Sequence, residues 1–299
     1  MKNVDHKLEL QDLKKLGFVT NNLNKYFNNL KDLYKYSEEI NRDRQELNYP
    51  IDGLVVKLSN NEQTELLGVV GKTPRTWSAI KFAPNVVSAI CTDVIWQIGR
   101  TGKVTPVITF EPVQLSGSIV ERATLHNFAE FVTKSPSIGD ILLIRKAGDI
   151  IPEVVNITKI NDNHTSLMHP SLCPSCNHEL LKSDTGIDLL CTNSRKCKDQ
   201  IVLSLSYFCT RNIANISGLS AKTIEKLVND FGVTDIADLL TFDCNRLRGF
   251  EGFGEKSINN LKINLDKAGT IIDYKFIAGL GIDGVGQEGA KLIAKKLLN

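Results

Sequence analysis

The sequence holds no apolar run approaching the roughly 18 residues that a membrane span needs, which excludes a spanning helix. Residues 1–9 are polar and lack the apolar centre of a secretory signal, so a cytosolic location is expected, nucleoid or nucleus included, with no membrane partner. An excess of charge of one sign is also missing, since 36 Lys+Arg face 34 Asp+Glu for a formal net +2. The balance holds along the chain: Lys+Arg against Asp+Glu is 13 and 11 over residues 1–90, 7 and 8 over 91–170, 4 and 4 over 171–200, and 12 and 11 over 201–299. Without a basic block, any grip on a polyanion must come from individually placed side chains and backbone amides. Nor is the composition that of a disordered or collagen-like chain, with 42% hydrophobic and 23% charged residues. At roughly 150 residues per domain, the 299 residues allow about two ordinary domains or several small ones.

Residues 1–48 are rich in Asn, Lys and Leu, with Leu30, Leu33, Tyr34 and Ile40 near helical spacing, and one or two surface helices fit. From Tyr49 the pattern turns β-like around Asp52-Gly53, with a second run closing at Lys81-Phe82. Strands are predicted at 94–98, 104–110, 141–144 and 151–157, broken by glycine turns, which suggests a small barrel. Residues 161–170 read as a linker, and residues 171–200 carry too few apolar side chains for a core of their own.

That last segment holds four of the seven cysteines, Cys173-x2-Cys176 and Cys191-x5-Cys197. In a reducing compartment such clustering points to a metal before a disulfide. Two thiolate pairs on short loops can close a tetrahedral zinc site, and metal binding can supply the folding energy that the segment lacks. Disulfides, or His169 or His178 standing in for one ligand, are the alternatives. Four thiolates leave no open coordination position, so the metal is structural.

From residue 201 the chain reads as helical, and three windows align: 216–227, 250–261 and 282–293. Each has glycine at its third position (Gly218, Gly252, Gly284), then an apolar residue (Leu219, Phe253, Val285), then Gly254 or Gly286 in two copies and Ser220 in the first. A helix-hairpin-helix would use such glycines for a tight turn whose backbone N–H groups, opening the second helix, face a DNA phosphate. The plainer reading is a set of helix C-caps in a bundle. Contacts of the first kind reach sugar-phosphate and carry no base sequence directly.

Within the barrel-like segment, Gly99-Arg100-Thr101-Gly102 and Arg145-Lys146-Ala147-Gly148-Asp149 set cations beside glycine turns. Each alone reads as a solvated loop; together on an oligonucleotide-binding (OB) barrel they could hold a nucleic-acid backbone. Asp52 and Lys57 stand five residues apart in Ile51-Asp52-Gly53-Leu54-Val55-Val56-Lys57. Along a regular strand that odd separation would put them on opposite faces, although the glycine turn leaves the parity open.

Taken in order, IDGLVVK at 51–57, KTPR at 72–75 with IKF at 80–82, IGRTGKVTP at 98–106, EPVQLSGSIVERATLHN at 111–127, IRKAGDIIP at 144–152, the four cysteines and the phased glycines resemble the bacterial-type NAD-dependent DNA ligases, from about residue 49 to the C-terminus. The resemblance implies an α+β multidomain fold. Its parts are the end of an adenylation (nucleotidyltransferase) domain at 1–86, an OB-fold β-barrel at 87–165, a four-cysteine zinc finger of the ribbon type at 166–203 and a helix-hairpin-helix array at 204–299. It implies an enzyme that seals nicks between a 3′-hydroxyl and a 5′-phosphate in duplex DNA during replication and repair, with NAD and magnesium as cofactors and zinc as a structural metal. In that chemistry a lysine takes AMP from NAD and passes it to the 5′-phosphate, and the 3′-hydroxyl displaces it. Lys57 and Lys81 would contact the nucleotide and its α-phosphate, and Asp52 would position metal or reacting groups. Arg100, Thr101, Gly102, Arg145 and Lys146 would face the DNA backbone beside Gly218, Gly252, Gly254, Gly284 and Gly286.

The Lys-x-Asp-Gly motif that carries the adenylated lysine in this family occurs nowhere in 1–299. The resemblance places it before Met1, and places a fourth hairpin and a BRCT domain beyond Asn299. Two readings follow: a ligase portion that works with a complementing N-terminal adenylation fragment, or a non-catalytic clamp or relic that binds nicked duplex without sealing it. Residues 1–85 are expected to be the least stable part, because a partial adenylation domain leaves sheet edges without partners.

Overall fold

Three helices among the first 67 residues each begin on a side-chain cap. Asp5 receives the Lys7 N–H at α1 (His6–Lys15), Asn29 that of Asp32 at α2 (Leu30–Asp43), and Asn60 that of Gln63 at α3 (Asn61–Leu67). Such caps satisfy donors left over in the first turn, each worth about 1 kcal/mol. Only α2 buries apolar side chains, through Tyr36 and Ile40. The strands of this part are β1 (Gly53–Lys57), the short pair β2 (Val69–Val70) and β3 (Thr73–Pro74), and β4 (Trp77–Lys81) antiparallel to β1.

The computed structural model describes residues 5–147, 151–159 and 166–297. They fall into two units, one up to Asn85 and the other from Val86 through Lys146 and on from Ile151. Gly148 and Asp149, and residues 161–165 of the expected linker, lie outside the described residues.

The second unit starts with long strands β5 (Val86–Ile98) and β6 (Lys103–Leu115), followed by β7 (Ser118–Thr124), α4 (Phe128–Lys134), β8 (Ile141–Ala147) and β9 (Ile151–Thr158). β5 pairs with β6 and β8, β6 with β7, and β9 lies between β8 and β7, its contact with β7 being parallel at Thr124 and Glu153. Five strands thus close a barrel, so the ring has no open edge. Burial alternates along β6 and β8, as one core-facing side requires, and Ile108, Phe110, Leu115, Leu142, Ile144 and Val154 fill the interior.

Strands β10 (Leu180–Lys182) and β11 (Leu189–Cys191) extend this sheet, β11 pairing with the start of β6 at Leu189 and Val104. The lack of a core in the cysteine segment is answered here: Leu180 and Leu189 pack with Ile98, Val104 and Phe128 of the barrel.

The remaining helices are α5 (Lys198–Cys209), α6 (Ala221–Phe231), α7 (Ile236–Leu240), α8 (Glu255–Ala268), α9 (Asp273–Gly279) and α10 (Gln287–Leu297). They share one apolar core that includes Leu205, Phe208, Ile224, Leu227, Leu239 and Leu261. Among the described residues no helix is long and apolar enough to cross a membrane.

Candidate nucleotide and nucleic-acid sites

The β1–β4 pair places three of the expected residues. Its register sets Gly53 opposite Lys81 and Lys57 opposite Trp77. Opposed residues share a face and alternate ones repeat it, so Lys57, Val55, Trp77 and Lys81 line one side. The two lysine Cα atoms stand roughly 14 Å apart along it, four residues at about 3.4 Å each. Asp52 precedes the strand and escapes its alternation; its carboxylate accepts a hydrogen bond from Lys81 Nζ. That bond, with the lysine's charge behind it, holds the Asp52 carboxyl below its ordinary value. Lys57 takes another partner, its ammonium lying 4.1 Å from the centre of the Trp77 ring. Gly53 is required for this arrangement, because a Cβ there would sit 2.4 Å from the Ile80 carbonyl oxygen. All three ionisable side chains are exposed. The structure therefore unites Asp52 with Lys81 and sets Lys57 at the other end of the same open face.

The four clustered cysteines converge, with every Sγ within 4.8 Å of the others. The Cys173–Cys197 and Cys176–Cys191 sulfurs are 3.9 and 3.6 Å apart. A tetrahedron with metal–sulfur bonds of about 2.3 Å has edges of about 3.8 Å, so the donor set and its spacing fit a tetrahedral cation such as zinc. Among the described residues no histidine joins the cluster: His178 bonds instead with the Thr192 hydroxyl at 3.4 Å, and His169 stacks edge-on against Phe128. Burial pushes the thiols of two other cysteines up, Cys209 to about 12 and Cys91 to about 11.

On the barrel, the expected cations behave differently from one another. Arg145 lies half-exposed on the outer side of β8, its Nε donating to Glu153 Oε1 at 2.5 Å. The same carboxylate, itself buried, meets His126 Nε2 at 2.9 Å. Neither Glu153 nor His126 was singled out by sequence; a lone glutamate inside the 151–157 strand carries no local signal of this role.

Lys146 needs a correction. It falls on the inward parity of β8, is buried, and donates to the Ser118 hydroxyl at 2.7 Å and the Ser116 carbonyl at 3.4 Å. It does not face outward, because adjacent residues of a strand point to opposite sides. In the turn at 99–102, Thr101 is exposed, whereas Gly102 is buried with the Cys191 carbonyl so close that a Cβ would lie 2.4 Å from it. Arg100 turns back onto the protein, its NH1 donating to the Gly281 carbonyl at 3.2 Å.

The three glycine turns share one geometry. Gly218, Gly252 and Gly284 have φ of 93, 90 and 76°, in the left-handed region where a side chain is strained. Each is exposed, the next residue (Leu219, Phe253, Val285) tucks partly inward, and the one after (Ser220, Gly254, Gly286) is exposed again. Ser220 caps α6 by accepting the Thr223 N–H, and Gly254 is the N-cap of α8. Nothing lies within 4 Å of where a Cβ at Gly254 or Gly286 would be, and neither has a positive φ. The protein's own packing thus gives no reason for glycine at these two places. Between the first and second turns runs a cleft of about 580 Å³, lined by Lys222, Lys226, Lys267, Ser257 and Asn264 among others. These lysines have no signature in the sequence, because Glu225, Asp230 and Asp266 cancel them in a local count.

Known proteins resemble this chain in two domains and along most of its length. The adenylation domain of NAD-dependent DNA ligases matches residues 1–85, and the OB-fold domain of the same ligases matches residues 88–166. The DNA ligase of Listeria monocytogenes serotype 4a (strain HCC23) is 39% identical over 291 residues, covering 97% of this chain and 43% of its own. That of Lactobacillus delbrueckii subsp. bulgaricus is 37% identical over 290 residues, 96% of this chain and 43% of its own. That of Staphylococcus saprophyticus is 37% identical over 297 residues, 98% and 44% respectively. The chain thus spans well under half the length of these relatives.

Proposed function

Since the chain belongs to the NAD-dependent DNA ligase family, we propose that it supplies one edge of the nucleotide site and the DNA-gripping body of an enzyme that seals nicks during replication and repair. The observation that carries this reading is the triple turn: three exposed backbones at helix starts, with glycines at 254 and 286 that nothing inside the protein requires. Room left for no internal neighbour is room for an external one. First-turn N–H groups there have no partner within the helix and suit a phosphate oxygen. The helices then form a helix-hairpin-helix array at 204–299, beside a four-cysteine zinc finger at 166–203, an OB domain at 87–165 and the end of an adenylation domain at 1–86.

The open face of β1–β4 fits a nucleotide's charge, with two lysines at its ends and a carboxylate beside one of them. When bound, NAD supplies the adenylyl group and magnesium neutralises phosphate charge. Lys57 and Lys81 would hold the phosphates and offset the negative charge that grows in phosphoryl transfer. Asp52 keeps the Lys81 ammonium in place and remains ionised at neutral pH. Trp77 carries the Lys57 ammonium over its ring, which holds it on the open face. Cys173, Cys176, Cys191 and Cys197 would bind zinc as a structural ion that welds β10, β11 and the start of α5 together. On the barrel, Arg145 is the outward cation, aimed by Glu153.

The nucleophilic Lys-x-Asp-Gly lysine is absent from 1–299 and would come from a complementing adenylation fragment, in the cytoplasm. The test pairs a binding assay on nicked and intact duplex with a sealing assay on a nick already bearing 5′-AMP. Tighter binding to the nicked duplex than to the intact one is expected, with no sealing of a plain nick from NAD and magnesium by this chain alone. Equal, weak binding to both duplexes would overturn the reading. Nick binding without sealing of the adenylated nick would favour a non-catalytic clamp.

A further inference from the structure

The four sulfurs that converge are not equally sheltered. Cys173, Cys191 and Cys197 are buried, whereas Cys176, in the turn that opens the cysteine segment, is half-exposed. Its Sγ accepts from the Asn193 side-chain amide at 3.7 Å, and the Cys191 sulfur lies 3.6 Å from it. Cys191 in turn fastens the segment to its surroundings. It ends β11, its N–H donates to the Gly102 carbonyl at 2.8 Å, and its own carbonyl accepts from the buried Gln200 side chain of α5 at 3.1 Å. The turn between β5 and β6, the β10–β11 pair and the start of α5 therefore meet at one cysteine, and the sulfur beside it is the one that solvent reaches.

We propose that Cys176 and Cys191 form an oxidation site, at which a hydroperoxide converts their two thiolates to a disulfide and so unmakes the four-sulfur cation site. The loss of an ion rests on the zinc reading and the consequence for DNA on the proposed grip; the disulfide itself needs neither. With hydrogen peroxide, the Cys176 sulfur attacks one oxygen, the O–O bond breaks, and a sulfenic acid forms with release of hydroxide. The Cys191 thiolate then attacks the Cys176 sulfur, the S–O bond breaks and a second hydroxide leaves. Two electrons pass from sulfur to oxygen, so two thiolates, one peroxide and two protons give one disulfide and two waters. Hydrogen peroxide is little larger than water and reaches a half-exposed sulfur where an alkylating agent, which needs a clear line behind its leaving group, does not. Once the disulfide has formed, Cys173 and Cys197 are the thiolates that remain, and two donors do not close a tetrahedral site. Apart from its cysteines the segment gives the apolar cluster Leu180 and Leu189 alone among the described residues, so losing the ion loosens it.

The experiment treats the protein with increasing hydrogen peroxide in the absence of reductant and of DNA. Released zinc is read with a coloured chelator and disulfides are mapped by peptide mass. Amide hydrogen exchange at residues 180–191 and nicked-duplex affinity are then measured on the same samples. The expected first product is the Cys176–Cys191 disulfide, with one zinc lost for each disulfide formed and Cys91, Cys209 and Cys244 unmodified. Exchange at 180–191 quickens, nicked-duplex binding weakens several-fold, and dithiothreitol with zinc reverses both. Cys176→His keeps four donors but removes the oxidisable entry point, so it should retain zinc at a peroxide concentration that strips wild type.

A first disulfide between Cys173 and Cys197, or zinc released before any disulfide appears, overturns the proposal. It fails equally if Cys176→His loses zinc as readily as wild type; should that variant not fold, the order of disulfides in wild type decides alone. Protein that holds no zinc yet yields the Cys176–Cys191 disulfide would sink the zinc reading and leave the oxidation site standing. Untreated protein that does not bind nicked duplex, with the disulfide and the zinc loss as expected, would sink the DNA grip alone.

Discussion

Asp52 and Lys81, 29 residues apart in sequence, meet as an ion pair at one end of the β1–β4 ladder. The bond from Lys81 and its charge stabilise the ionised carboxyl, so Asp52 titrates below its ordinary 3.8. The pair's contribution to folding is therefore present above pH 3.8 and is lost as pH falls through the depressed value. Both groups are solvated, so that contribution is small. Lys81→Met should return the Asp52 pKa to the ordinary range, with little change in stability at pH 7. A carboxyl-carbon NMR titration reads this directly, and an unshifted Asp52 in the variant would mean that another group lowers it.

Gly254→Ala separates folding from binding. The site is open and its φ is −90°, so the new methyl meets nothing and the fold loses only part of an N-cap, roughly 0.5–1 kcal/mol. Nicked-duplex affinity should fall several-fold if a phosphate approaches the backbone there. Gly252→Ala, at φ 90°, should cost roughly 1–2 kcal/mol in denaturant unfolding as well. Unchanged DNA affinity in Gly254→Ala would remove the turn from the interface.

The seven cysteines should divide four and three. Metal analysis is expected to find one zinc per chain, and iodoacetamide should modify Cys173, Cys176, Cys191 and Cys197 only after chelation. Cys91, Cys209 and Cys244 are buried with raised thiol pKa values, so they stay protonated at pH 8 and react only on global unfolding. Peptide mass mapping distinguishes the sets; early labelling of Cys209 would contradict its burial.

Limited proteolysis should cut before residue 86 first. Among its described residues only Tyr36 and Ile40 are buried apolar side chains, while Leu66, Leu67, Val69, Val70 and Trp77 are exposed. The barrel, in contrast, buries a continuous core between paired strands. Local opening follows the density of buried contacts, so trypsin is expected to enter near Lys72 and Arg75 well before it cuts the barrel. Equal resistance would show that the first unit has a stability its contacts do not account for.

Several features were legible before any coordinates because their causes are local. A residue that must take φ near 90° writes itself as glycine, so Gly218, Gly252 and Gly284 stood out as a repeat. Two cysteine pairs at short spacing write their own loops, and the four sulfurs do converge. The barrel strands showed in their apolar runs and glycine turns, and the collinear motifs named the family before the domain matches did.

Other features depended on partners far along the chain, and only the tertiary structure decided them. Arg145 and Lys146 are equal cations in sequence; the register of β8 turns one outward to Glu153 and the other inward to Ser118, since neighbouring strand residues must face opposite ways. Arg100 read as a solvated cation until packing brought Tyr207 and Gly281 to it from distant helices. Sequence by itself determined where backbone strain and the clustered sulfurs lie, because both are properties of a few consecutive residues. Which charges are spent inside the protein and which remain for a ligand was settled by strand register and helix packing, which join residues that no local pattern links.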